Sequence, residues 1–111
     1  MSFLLKMKKV YIASPYTIGD TAVNVNRAIK VANQLLDKGY CPFIPLLYHF
    51  WHLITPRKYK DWTKLDNEWL KSCDIIIRLP GKSKGADEEI RLAKKLGIPV
   101  KKLKDLLKVG N

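Results

Sequence analysis

Cysteine is scarce in this chain, with only Cys41 and Cys73 in 111 residues. Two such residues, far apart and in no metal-type pair, make neither a disulfide framework nor a zinc site, and they read as buried free thiols of a cytoplasmic protein. Long apolar runs are missing as well. None approaches the roughly 20 residues that would cross a bilayer, so no membrane partner is expected. The opening Met1-Ser2-Phe3-Leu4-Leu5-Lys6-Met7-Lys8-Lys9 has neither a developed apolar region nor a small-residue cleavage site, and reads as no export signal. Histidine is limited to His49 and His52, three apart and without a second cluster, too few ligands for a metal site. No repeat, linker or low-complexity tract breaks the chain, which is expected to be one domain spanning 1–111.

Acidic residues are few: 10 against 21 basic ones, a formal net charge of +11. That balance favours an anionic partner. It does not select nucleic acid, because the lysines are spread along the chain and no helix-turn-helix, zinc or RNA-recognition signature accompanies them. Lys94, Lys95, Lys101, Lys102, Lys104 and Lys108 read mainly as solvated faces. A phosphorylated small molecule satisfies the same charge.

The ordering of apolar runs predicts an α/β chain. Lys8 to Ser14 reads as a buried strand ended by Pro15. Asp20 or Thr21 can cap a helix that runs to about Lys38 on Val25, Ala28, Ile29, Ala32, Leu35 and Leu36, and Gly39 ends it. Cys41 to Leu47 is a second strand, irregular or at an edge because it carries two prolines. His49 to Tyr59 reads as an aromatic loop, and Tyr59 to Ser72 as a helix. The strand Asp74 to Leu79, the turn Pro80-Gly81-Lys82-Ser83 and a helix opened by Gly85 and stopped by Gly97 follow. Pro99 to Leu103 is a last short strand, and Leu103 to Lys108 a terminal helical turn. Strands alternating with long helices imply a three-layer Rossmann/flavodoxin-like domain with a parallel sheet of four or five strands. Ligands of such sheets sit outside the carboxyl ends of the strands. The Ser14-Pro15-Tyr16 turn, the aromatic loop and the Pro80 to Gly85 turn are therefore expected around one crevice.

Two acids break the helical pattern. At about 100° per residue, Ala86, Ile90, Leu92, Ala93 and Leu96 share one side of their helix, and Glu89 falls between Ala93 and Leu96. On the preceding helix Trp62, Leu65, Trp69, Leu70 and Cys73 share a side, and Asp66 falls among them. A buried carboxylate is costly unless partnered, or its pKa shifts. Each acid has a plain structural reading, Asp66 as an anchor for loop amides and Glu89 as a first-turn acid favoured by the helix dipole. Asp87 and Glu88 already fill the latter role from more exposed positions. One ionised acid beside one that can give up a proton is also the equipment for cleaving a glycosidic bond.

Around these acids, Ser83 and the Gly81 to Gly85 turn precede a helix N-terminus whose amides can hold a phosphate or a sugar hydroxyl. His49 and Trp62 can stack on a base or ring, or simply pack. Tyr11, in the first strand, needs a partner for its hydroxyl if it is buried.

These residues resemble the nucleoside 2-deoxyribosyltransferase superfamily, which includes 2′-deoxynucleoside 5′-monophosphate N-glycosidases. The likeness runs from Val10-Tyr11-Ile12-Ala13-Ser14-Pro15-Tyr16 to Gly97-Ile98-Pro99-Val100. Asp66-Asn67-Glu68-Trp69-Leu70-Lys71-Ser72-Cys73-Asp74-Ile75-Ile76 is similar to the family's acidic helix and following strand. Ser83-x-Gly85-x-x-x-Glu89-Ile90-x-x-Ala93 is similar to its nucleophile motif. The segment Pro42 to Phe50 looks like a small branch common in prokaryotes and phages. The resemblance implies that Glu89 attacks the anomeric carbon and forms a glycosyl-enzyme, that Asp66 serves the leaving base as acid, and that Tyr11 orients Glu89. It implies a substrate pocket formed with Ser83, Gly85, Ser14, Tyr16, His49 and Trp62. Serine at position 83, where members acting on free nucleosides tend to carry an acid, implies contact with a 5′-phosphate. It further implies a homodimer or higher homo-oligomer and neither metal nor redox cofactor. The chain is shorter at its C-terminus than the transferases, which there supply a residue to the neighbouring subunit's pocket, and no such residue is assignable.

The expected activity is thus cleavage or transfer of the N-glycosidic bond of a nucleoside or nucleoside monophosphate. A non-catalytic nucleotide sensor of the same fold is the main alternative, and a basic nucleic-acid-binding module a more distant one. The residues also leave open base, sugar and acceptor.

Overall fold

The computed structural model describes residues 6–109. Strand β1 (Lys9–Ala13) carries the period-2 pattern of a strand covered on both faces. Val10 and Ile12 point to one side, into a core with Val25, Ala28 and Leu35 of helix α1 (Thr21–Asp37) and Leu106 of helix α5 (Leu103–Val109). Tyr11 and Ala13 point to the other, into a second core with Leu70 of helix α3 (Tyr59–Lys71) and Ala86 and Ala93 of helix α4 (Lys84–Leu96). Strand β3 (Ile75–Arg78) alternates likewise, with Ile75 and Ile77 facing α1 and Ile76 facing α4. Those two cores make three layers around a sheet that β2 (Cys41–Phe43) and β4 (Val100–Lys101) complete in the order β2-β1-β3-β4, parallel throughout. This is a Rossmann/flavodoxin-like α/β fold. Strand order reverses between β1 and β3, so the loops leaving those two strands diverge and open a crevice.

Local chemistry sets the boundaries. Asp20 caps α1, accepting from the Val23 N–H at 3.2 Å. Within α1 the buried face is Val25, Ala28, Val31, Ala32 and Leu35, whereas Ile29 and Leu36, expected on that face, flank it exposed. Strand β2 (Cys41–Phe43) is shorter than expected, because Pro45 starts one turn of 3-10 helix, Pro45–Leu47. Strand β4 is confined to Val100–Lys101.

Three further expectations fail. The aromatic stretch is no loop: Tyr48–Ile54 form helix α2, closed by the Thr55 N–H donating to the Trp51 carbonyl at 2.8 Å. Cys41 is exposed on edge strand β2, and of the two thiols only Cys73 is buried. Trp69 and Leu96, read as apolar-face residues, are each about half exposed. Trp69 nonetheless stacks on Phe43 with centroids 5.2 Å apart. No helix among the described residues is long and apolar enough to cross a membrane.

The turn after β3 is held from three sides. Arg78 donates to the Leu79 carbonyl and, at 2.8 Å, to the Gly81 carbonyl, while Arg27 of α1 donates to the Pro80 carbonyl at 2.7 Å. Gly81 sits at φ +120°, and a Cβ there would meet Pro15 Cγ at 2.8 Å. Gly81→Ala should therefore cost roughly 2 kcal/mol or more, from backbone strain plus a clash between the two cleft-forming turns. Gly97→Ala, at φ +77° but with nothing within 4 Å of its Cβ, should cost less. Thermal melts of the two variants check the ordering, and equal losses would remove the Pro15 contact from the account.

Candidate active site

A cavity of about 700 Å³ opens where the β1 and β3 loops part. Its walls come from the β1–α1 turn, α2, α3 and the first turns of α4. The two out-of-pattern acids, Asp66 of α3 and Glu89 of α4, both line it. Tyr11, fully buried in the middle of β1, donates its hydroxyl to Glu89 Oε2. The structure thus brings Tyr11, Asp66 and Glu89 together on the α3–α4 side of the sheet.

Their electrostatics divide the acids. Burial raises the pKa of Asp66, and the neighbouring charge of Glu89 and a hydrogen bond to it raise it further. Burial raises Glu89 too, but hydrogen bonds from Tyr11 and Asp66 and the positive charge of Arg78 pull it back. Glu89 is thereby the first of the pair to ionise and Asp66 the one that keeps a proton. Tyr11 is pushed far up by burial and by both acids, so its hydroxyl stays a donor. Asp66 Oδ1 is buried and accepts nothing from the protein. Two coupled acids that share a hydrogen bond, one ionising before the other, form a pair able to hold and move a proton.

The α4 end of the cavity combines a helix N-terminus with two lysines. Ser83 caps the helix, its Oγ accepting from the Ala86 N–H at 3.0 Å, which leaves its own hydrogen free to donate. Lys82, Lys84 and Gly85 line the same corner. Asp87 lies outside it, tied to Arg78 at 3.0 Å. Across the cavity, buried Ser14 spends its hydroxyl on the Pro15 carbonyl at 3.2 Å, and Tyr16 shares a 2.5 Å hydrogen bond with His49 Nδ1. Buried Asn24 pins that turn by donating to the Tyr16 and Ile18 carbonyls at 3.3 and 3.0 Å. Trp62 lies stacked on Tyr48, centroids 5.4 Å apart and planes 26° off parallel.

Every residue expected at the site except Tyr11 lines the cavity, and Tyr11 reaches it through Glu89. Four contributors escape a reading of the sequence. Arg78 holds the turn and biases Glu89; an arginine ending the apolar run Ile75-Ile76-Ile77 was a visible signal for it. Asn24 and Tyr48 gave no signal, because only the folded neighbours make them matter, and His52 was visible only as a second histidine in the aromatic stretch, able to stack or pack. Among the described residues no cluster of three or more His, Cys, Asp or Glu is arranged to hold a metal.

The architecture has counterparts among solved structures. A 2-deoxyribosyltransferase from the psychrotolerant bacterium Bacillus psychrosaccharolyticus superposes with a TM-score of 0.63 over 85% of this chain and 70% of its own, at 24% identity. The chain thus has the α/β fold of that transferase. It belongs to the family described as "Domain of unknown function (DUF7768)", whose model matches residues 8–103. No curated protein matches it.

Proposed function

We propose that this protein cleaves or transfers the N-glycosidic bond of a deoxynucleoside or nucleoside 5′-monophosphate through a glycosyl-enzyme on Glu89. The observation that carries the reading is the buried Tyr11–Glu89–Asp66 set, in which burial raises both acids and leaves Glu89 the first to ionise and Asp66 the longer to keep its proton. The likeness to a 2-deoxyribosyltransferase, and to the family motif around Ser83 and Glu89, supports it.

The chemistry balances on these groups alone. A Glu89 carboxylate oxygen bonds to C1′ of the sugar as the C1′–N bond breaks, and that electron pair leaves with the base. Asp66 gives its proton to a nitrogen of the departing base and becomes a carboxylate. Water, or a second base, then attacks C1′ and releases Glu89, returning a proton to Asp66. Tyr11 fixes the attacking carboxylate and stabilises its charge until the bond forms. At the α4 corner the Ser83 hydroxyl, the first-turn amides, Lys82 and Lys84 suit a 5′-phosphate. Ser14, Tyr16, His49 and Trp62 complete the pocket, and no metal or redox cofactor enters the steps. The single domain 1–111 and the prokaryotic/phage-type branch belong to this reading, as does a homodimer. Exposed Phe50, Trp51, Leu53 and Ile54 of α2 are apolar side chains that a second copy would cover.

Incubation with a panel of deoxynucleosides and their 5′-monophosphates, followed by chromatography for free base, tests it. Base release is expected, faster from monophosphates by about tenfold or more, the effect of one charge-assisted phosphate contact. Tight nucleotide binding with no base released across the panel would instead identify a sensor.

A further inference from the structure

Two groups at the α2–α3 side of the cavity have no part in the steps above, and one of them is fixed in a single hydrogen-bonding form. His52 Nδ1 receives the Arg57 backbone N–H at 3.1 Å and the Trp62 indole N–H at 3.1 Å. Both partners can only donate, so Nδ1 is a bare acceptor and the ring hydrogen sits on Nε2. Nε2 has no partner among the described residues, and His52 lines the cavity. The fold therefore presents one N–H donor that cannot turn into an acceptor.

Its surroundings point to the kind of group it meets. Tyr48, one turn before His52 on α2, carries a buried hydroxyl, and Asp66, one turn after Trp62 on α3, a buried Oδ1 with no hydrogen-bond partner among the described residues. Trp62 joins the two helices, stacked on Tyr48 and edge-on to His52 at 5.7 Å. This wall is thus mainly aromatic, with the Nε2–H of His52 and the side chains of Arg57, Thr63 and Asn67 as its polar groups. That composition suits the edge of a flat heterocycle, not a phosphate, which the Ser83 corner with its lysines suits better. Resting on the N-glycosidase reading, the base whose ring nitrogen takes the proton of Asp66 must lie along this wall, because Glu89 fixes the sugar.

We infer that His52 reads the leaving base, its Nε2–H donating to a carbonyl oxygen, so that the protein prefers bases bearing an oxo group where adenine and cytosine bear an amine. The distinction is chemical. Guanine and hypoxanthine present an acceptor beside ring N7, whereas adenine presents an N–H₂ donor there, and uracil and thymine differ from cytosine in the same sense. Two donors facing each other leave both unpaired, while a donor on a carbonyl does not. Tyr48 and Asn67 can each both give and take a hydrogen bond and so do not discriminate, and Arg57 is paired with Asp61 at 3.2 Å. Among the groups on this wall, His52 sets the choice.

The test pairs binding with turnover. Glu89→Gln protein is titrated with the 5′-monophosphates of deoxyinosine and deoxyadenosine, and of deoxyuridine and deoxycytidine, while wild-type protein is assayed for base release from the same four. Within each pair the oxo base should bind about tenfold or more tightly, the worth of one well-placed hydrogen bond to a base. His52→Phe should bring each ratio to within about twofold. His52→Gln, whose carbonyl can still accept from Trp62 while its amide donates, should keep part of it. A merely structural His52 would weaken both members of a pair alike, and an unchanged ratio in His52→Phe would overturn the inference. So would equal binding, an amino-base preference, or no binding of any of the four. Selective binding without any base release would leave this inference standing and remove the glycosidase; base release without preference would do the reverse.

Discussion

Glu89→Gln should lower base release by on the order of 10³-fold or more, with nucleotide affinity changed by less than about tenfold. The change is nearly isosteric. Its carbonyl can still accept from the Tyr11 hydroxyl that holds Glu89 in the wild type, so the buried surroundings keep their hydrogen bond. What is lost is the negative oxygen that bonds to C1′. The proposed intermediate gives a second readout: acid-quenched wild type, mixed with substrate, should carry the mass of one sugar on the peptide containing Glu89, and the variant should carry none. Glu89→Ala is a poorer probe, since it strands the Tyr11 hydroxyl in a buried site and adds a stability loss to a chemical one. Wild-type turnover in Glu89→Gln would end the mechanism, and the sugar mass on another residue would move the nucleophile.

Much of this site is legible in the sequence because burying a carboxylate breaks a pattern that otherwise holds. Asp66 and Glu89 stand out on the wheels of their helices, and the fold puts both on the wall of one cavity. The alternation in Val10-Tyr11-Ile12-Ala13 and Ile75-Ile76-Ile77 likewise announces a strand covered on both faces, which is why the parallel sheet is readable. Tyr11 is different: nothing in its own neighbourhood marks it, and the family resemblance supplies its partnership with Glu89. Helix α2 is missed for a physical reason. Tyr, His, Phe and Trp are middling helix formers, and the helix holds through contacts to the next helix, Tyr48 and Trp51 packing on Trp62. The form of His52 is set by an indole ten residues away and a backbone amide five away, so no local pattern encodes it. Ser83 is legible as a member of the resembled motif and as part of the turn before a helix, yet only the structure shows it as the cap of α4: Oγ accepts for the cap while its hydrogen remains to be given.

The same acids should make Asp66→Asn a variant that gains stability as it loses activity. Burial and Glu89 push the Asp66 carboxyl up to about 8, against about 3.9 in an unfolded chain. Between those values the folded protein holds a proton that the unfolded chain has released. Wild-type stability from this group is therefore fully present below about pH 4, falls as pH rises, and is lost by about pH 8 and above, where a charged carboxylate must stay buried. Asparagine does not titrate, and its N–H₂ can donate to Glu89 as the protonated acid does. The variant should match the wild type only near pH 4, and its advantage should widen between pH 5 and pH 8.5 by about 2–4 kcal/mol, less than the full shift implies because the two acids share the cost. In melting temperature that is a gap of roughly 10 °C or more, opening as pH rises. Base release should fall by about 10²–10⁴-fold, since asparagine has no proton to give the leaving nitrogen. Melts at the two pH values, run beside the release assay, separate the claims. A constant difference in melting temperature across pH would mean that Asp66 does not hold a proton in the folded protein, and the acid would then have to be sought elsewhere on the cavity wall.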